Sequence, residues 1–136
     1  MGNLPHRELG GGKPRQIGKN SYEMIKSHLS SYIFYNLEPE FDFFNKQDLE
    51  HALDTSKCNI FFTSYITPII EKYADIIIPI TTFAETDGGY INIEGTYQTF
   101  QPIVQPSKNI HVGWSILNDI LKLNNLGDYS IDEIRG

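Results

Sequence analysis

Residues Tyr73 to Gln101 read YADIIIPITTFAETDGGYINIEGTYQTFQ. The stretch opens on Asp75-Ile76-Ile77-Ile78-Pro79-Ile80, an apolar run that does not alternate. A strand with one wet face alternates polar and apolar residues, so this one is expected to be covered on both faces. Ala84-Glu85-Thr86-Asp87-Gly88-Gly89 is then turn-rich. Tyr90–Ile93 and Thr96–Phe100 follow as a hairpin-like pair joined around Glu94-Gly95.

Upstream, the same period changes recur. Cys58–Thr63 reads as a strand, and Thr67 with Pro68 opens a helix whose Ile69, Ile70 and Tyr73 face inward. Before it, Ser31–Asn36 is rich in aromatic and β-branched residues and predicts another strand, ended by the polar turn Asn36–Glu40. Asn45 caps a helix from Gln47 to Thr55 with Leu49, Ala52 and Leu53 as its inward stripe. Asn20, three residues before Glu23, is a capping pair opening a short helix over Ser21–His28. Strand–helix–strand–helix–strand implies right-handed crossovers and a parallel sheet. The fold class is therefore α/β: a Rossmann-like three-layer unit with a short parallel sheet flanked by helices, plus a β-hairpin and a C-terminal helix. Three strands are too few for a finished doubly wound sheet. Either the first helix and the N-terminal arm cover an open edge, or the chain is a piece of a longer one.

Downstream, Pro102–Pro106 is an extended connector. A helix over Val112–Asn124 groups Trp114, Leu117 and Leu121, with Ile116, Ile120 and Leu123 beside them, and Gly127 stands where a terminator belongs. Ile131–Arg135 begins a further helix that stops after one turn. Residues 1–20, with Gly10-Gly11-Gly12 and the basic Arg7, Lys13, Arg15 and Lys19, show no helix or strand period and are expected to form an extended, flexible arm.

An apolar share of 40% with 8 Phe and 8 Tyr supports a real core, whereas a formal charge of −6 argues against general nucleic-acid binding. The single cysteine, Cys58, forms no internal disulfide and holds neither a cluster nor structural zinc alone; it is expected to be a buried small hydrophobe. No signal peptide and no apolar run of about 18 residues is present, which predicts a cytoplasmic domain.

The candidate acids, Asp42, Asp75, Glu85, Asp87 and Glu94, lie on loops and strand ends with no spacing that marks an acid–base pair. His6, His28, His51 and His111 lie far apart, without metal-ligand spacing. No residue is therefore assigned to catalysis or to a metal. Ligands of open parallel sheets bind beyond the carboxyl ends of the strands, here Asn36–Glu40, Thr63–Thr67 and Thr81–Gly89. If a nucleotide binds, the candidates are Asn36, Glu85, Gly88, Gly89 and Asn92. The competing expectation is that Gly88-Gly89 supplies positive φ for the turn into the hairpin.

Leu4-Pro5-His6-Arg7-Glu8-Leu9-Gly10-Gly11, Asn20-Ser21-Tyr22-Glu23-Met24 and Asn36-Leu37-Glu38-Pro39-Glu40-Phe41-Asp42 resemble the C-terminal part of the large iron–sulfur subunit of bacterial NADH-quinone oxidoreductase, respiratory complex I. Tyr73-Ala74-Asp75 through Pro79, with Thr82–Gly88 and Asn92-Ile93-Glu94-Gly95, is similar to a signature of the wider molybdopterin oxidoreductase fold. Pro102 through Trp114 also looks like this large subunit. The resemblance spans almost the whole chain.

It implies that residues 21–136 are part of a molybdopterin-oxidoreductase-like α/β domain that has lost its cofactor and serves as scaffold. The 4Fe-4S and 2Fe-2S clusters of such a subunit are held elsewhere, by cysteines near its N-terminus. The implied partners are that iron–sulfur part and other peripheral-arm subunits, with no nucleic acid and no membrane insertion, at the cytoplasmic face of the inner membrane. In catalytic relatives an Asn-Pro pair lies near the cofactor. Here Leu37-Glu38 separates Asn36 from Pro39, Glu38 and Glu40 repel a pyrophosphate, and Thr96 stands where the signature has Arg. Two alternatives remain open: a fragment of a cofactor-binding molybdopterin oxidoreductase, and a stand-alone Rossmann-like nucleotide-binding or interaction module.

Overall fold

The structure is a computed structural model that describes residues 18–107 and 109–130. Most of the expected arm and the helix over Ile131–Arg135 lie outside the described residues. The described residues form ten elements in order: α1 (Ser21–Lys26), β1 (Ser31–Tyr35), α2 (Pro39–Asp42), α3 (Lys46–Thr55), β2 (Cys58–Thr63), α4 (Pro68–Tyr73), β3 (Ile76–Pro79), β4 (Gly88–Ile91), β5 (Tyr97–Phe100) and α5 (Gly113–Leu123).

Local chemistry sets most of these boundaries. The Asn20 side chain accepts from the Glu23 N–H at 2.9 Å, and the Glu23 carboxylate accepts from the Asn20 N–H at 3.1 Å, closing a capping box on α1. Asn45 caps α3 through the Asp48 N–H, and Thr67 caps α4 through the Ile70 N–H with Pro68 at the first turn. Where the sequence reads as a polar turn, Pro39–Asp42 coils into one helical turn, because the Asp42 carboxylate accepts the Glu38 N–H at 2.7 Å.

The sheet order is β1-β2-β3, all parallel, with Ile33, Ile60 and Ile76 in one row and Tyr35, Phe62 and Ile78 in another. Consecutive right-handed crossovers in one direction place their helices on the same face. The core accordingly lies on that face: Tyr32, Phe34 and Phe61 of the sheet pack with Ile25 of α1, Leu49, Ala52 and Leu53 of α3, and Ile69 and Ile70 of α4. The Phe34 and Phe61 rings stack with centroids 4.6 Å apart. On the other face Ile33 stays 66% and Ile76 47% exposed.

The expectation that both faces of Asp75–Ile80 are covered is therefore corrected. β3 is an edge strand, and even Ile77 on the helix side is 38% exposed. Cys58 is likewise half-buried rather than buried, because it starts β2 at the amino edge of the sheet on the less covered face.

A buried polar knot fastens the amino end of β2. Asn59, 3% exposed, donates through Nδ2 to the carbonyls of Leu53 (3.0 Å) and Tyr73 (3.1 Å) and accepts from Ser56 Oγ at 2.8 Å. The Asp75 carboxylate accepts the Asn59 N–H at 2.7 Å, while the Asp75 N–H donates back to the Asn59 carbonyl. No helix of the described residues is long and apolar enough to cross a membrane.

Candidate functional site

The loops leaving the carboxyl ends of β1, β2 and β3 enclose a groove of two lobes. One lobe, about 200 Å³, lies among Tyr35, Ile80, Phe83, Tyr90, Phe100 and Trp114, with Gly88, Gly89 and Gly113 in its wall. The other, about 440 Å³, is lined by Glu38, Asp42, Ser64, Tyr65 and Thr82. Asn36 and Phe83 belong to both. This is where an open parallel sheet presents its ligand loops.

Backbone and side-chain bonds hold the rim. Asn36 ends β1 in the left-handed region (φ 51), which asparagine tolerates, and its N–H donates to the Phe62 carbonyl at 2.8 Å. Ser64 Oγ lies within donating distance of the carbonyls of Ile80 (3.1 Å) and Thr81 (3.0 Å). The connector returns the chain alongside β3, where the Thr81 N–H donates to the His111 carbonyl at 3.2 Å. α5 then starts with its Gly113 backbone against the Tyr35 ring, leaving no room for a side chain at that position. Its Ncap, Val112, supplies no side-chain bond, and Trp114 Nε1 is buried without a partner among the described residues.

Of the sequence-read candidates, Asn36, Gly88 and Gly89 line the groove, whereas Glu85 and Asn92 spend their polar atoms locally. The Glu85 carboxylate accepts from the N–H and hydroxyl of Thr82, each at 3.0 Å. Those bonds, joined by the Ser107 N–H, hold its pKa below the ordinary carboxylate value. Asn92 Oδ1 accepts from the N–H groups of Glu94 (3.0 Å) and Thr96 (2.9 Å), closing the hairpin with Gly95 at φ 83.

The expectation of positive φ at Gly88 and Gly89 is corrected, for the positive-φ glycines of the described residues are Gly95 and Gly127. A Cβ on Gly88 would stand 2.9 Å from the Phe100 ring, and one on Gly89 would run into the Tyr97 ring. These glycines make way for aromatic rings laid over the hairpin. Among the acids, Asp42 and Asp87 line the groove, Asp75 belongs to the Asn59 knot, and Glu94 sits at the exposed hairpin tip.

Glu40 points away from the groove. Its Oε1 accepts from the Ile69 N–H at 2.7 Å, at the start of α4. Oε2 is buried with no partner of hydrogen-bonding geometry among the described residues, and the nearby Thr67 hydroxyl together with the Ile69 N–H favours the charged form. Tyr35, Tyr65, Phe83 and Trp114, none of them read as a site residue from the sequence, contribute to the groove's apolar wall. Phe83 and Trp114 fall in the stretches that carry the family resemblance, whereas Tyr35 and Tyr65 are signalled only by their place at or after a strand end.

A family model described as molybdopterin oxidoreductase matches residues 7–123. The chain belongs to the molybdopterin oxidoreductase family. No curated protein matches it.

Apart from the start of α5, the groove of this molybdopterin oxidoreductase domain does not suit a pterin dinucleotide. A pyrophosphate needs backbone N–H groups or cations. Here Glu38 and Asp42 face the larger lobe, and among the described residues neither lobe is lined by Lys or Arg. The glycine pair that would let a phosphate approach is overlaid by Phe100 and Tyr97. Among the described residues, no three His, Cys, Asp or Glu side chains converge as metal ligands.

Proposed function

We propose that this chain is a non-catalytic scaffold domain of the large iron–sulfur subunit of bacterial NADH-quinone oxidoreductase, respiratory complex I. In that reading electrons pass from NADH towards quinone through 4Fe-4S and 2Fe-2S clusters held elsewhere in the same subunit. The domain packs against the iron–sulfur part of its own subunit and against other peripheral-arm subunits, at the cytoplasmic face of the inner membrane. The observation that carries the reading is the rim after β1. Where a cofactor-binding relative is expected to present Asn-Pro, this chain presents Glu38 and Asp42 to the groove and turns Glu40 into the α4 cap.

The start of α5 favours a second reading, a fragment of a cofactor-binding molybdopterin oxidoreductase. This eleven-residue helix begins at the groove without a side-chain cap, and its free N–H groups suit an anion. Two measurements separate the readings. Purified protein free of molybdenum and tungsten, with amide resonances unmoved by guanosine monophosphate, agrees with the scaffold. Stoichiometric metal, or shifts confined to residues 36–40 and 81–89, overturns it. A cysteine-rich stretch upstream in the same gene bears on the complex I assignment directly.

A further inference from the structure

The larger lobe holds an unmatched charge. Glu38 is half-buried, and among the described residues its carboxylate enters no hydrogen bond or ion pair. Asp42 stands beside it, with one oxygen fixed by the Glu38 N–H at 2.7 Å. Phe83 and Tyr65 flank them and remain 69% and 53% exposed. Exposed aromatic faces next to carboxylates are the surroundings that a guanidinium prefers, because it stacks on one and forks to the other. The adjoining lobe offers an apolar wall of Tyr90, Phe100 and Trp114 across Phe83.

We propose that the groove docks a segment of a partner protein, an arginine entering between Glu38 and Asp42 and the next apolar side chain seated beyond Phe83. A small cation would fill one lobe only; a peptide spans both. The proposal rests on the scaffold reading, since a groove that kept a pyrophosphate would not take a guanidinium at the same rim. Charge complementarity supplies the orientation: the chain is acidic overall, at −6, and among the described residues no cation lines the groove.

The test is an amide NMR titration of the full chain with an acetylated, amidated leucyl-arginyl-phenylalanine tripeptide. The same tripeptide with glutamine for arginine is the control. The expected result is shifts at Asn36, Glu38, Tyr65 and Phe83, with binding at least about five-fold weaker for the control peptide and for Glu38→Gln. No shifts, or equal shifts from both peptides, overturn the docking proposal and leave the scaffold reading standing. Shifts at the same residues from guanosine monophosphate overturn both. Binding that appears only in the variant Arg7→Gln/Lys13→Gln/Arg15→Gln overturns it as well, by making the chain's own basic residues the occupant.

Discussion

The Glu40 carboxylate accepts a 2.7 Å hydrogen bond from the backbone N–H of Ile69, 29 residues further along the chain. Ile69 lies in the first turn of α4, where N–H groups lack helical partners and the local field favours a negative charge. Burial pushes the Glu40 pKa upward, but the Thr67 hydroxyl, the backbone N–H groups and Lys46 outweigh it, and the net shift is below the ordinary value of 4.5. A lowered folded-state pKa contributes stability that is full above the unfolded value and is lost as pH falls through the folded one. Glu40→Gln is therefore expected to cost about 1–2 kcal/mol near neutral pH. The gap to the unaltered protein should close as pH drops below the ordinary glutamate range. Urea midpoints at a series of pH values check this, and a constant gap contradicts it.

Asn59 joins three elements through one side chain: the end of α3 at Leu53, the end of α4 at Tyr73, and β2 itself. Asn59→Ala takes the side-chain donor from the Tyr73 carbonyl and leaves the Leu53 carbonyl with the Ser56 hydroxyl alone. The expected loss is about 1–3 kcal/mol. Asp75→Asn keeps the shape and weakens only the bond to the Asn59 N–H, so about 1 kcal/mol is expected. Denaturant unfolding of both variants gives the comparison; an Asn59→Ala loss no larger than that of Asp75→Asn contradicts the knot.

The parts of the fold written in short-range chemistry are legible in the sequence. Asn20 with Glu23, Asn45, and Thr67 with Pro68 each cap the helix that their spacing predicts, because a cap needs only the next three residues. What depends on the neighbours of a strand is not legible. Ile76–Ile78 looks the same in sequence whether β3 is central or at an edge, and nothing local states that two crossovers put their helices on one face. Gly88 and Gly89 resemble turn glycines because the residues explaining them, Phe100 and Tyr97, sit across the hairpin. The groove's location follows from the strand order. Its aromatic wall does not, since Tyr35, Phe83 and Trp114 meet only in three dimensions.

That hairpin relationship has its own readout. Phe100 pairs directly with Gly88, and Tyr97, two residues from Gly89's partner Thr99, lies diagonally over Gly89. Protons under an aromatic face are shielded, so the α-protons of both glycines are expected upfield of ordinary glycine positions. Tyr97→Leu should return the Gly89 pair to ordinary shifts while leaving Gly88 upfield. Gly89→Val should displace the Tyr97 ring and broaden or lose the β4–β5 cross-strand contacts. Unshifted glycine protons in the unaltered protein contradict the overlay.

Gly113 and Tyr35 hold α5 to the exposed face of the sheet by backbone-to-ring contact. A methyl group at position 113 meets the Tyr35 phenol: Gly113 is buried at the first helical position, so the Tyr35 ring, 40% exposed and beside Phe62, must turn aside. Gly113→Ala is expected to cost about 1–3 kcal/mol despite alanine's better helix propensity. Tyr35→Leu, which shortens the side chain, should recover part of that loss in the double variant, so the two effects should not add. Burial also raises the Tyr35 pKa above its ordinary value of 10.0. A raised folded-state pKa gives stability that is full below the unfolded value and is lost as pH rises through the folded one. In Gly113→Ala, where the displaced phenol gains water, alkaline titration followed by ultraviolet absorbance should show Tyr35 ionising at lower pH. An unchanged titration together with additive stability losses would mean that α5 is not seated on Tyr35.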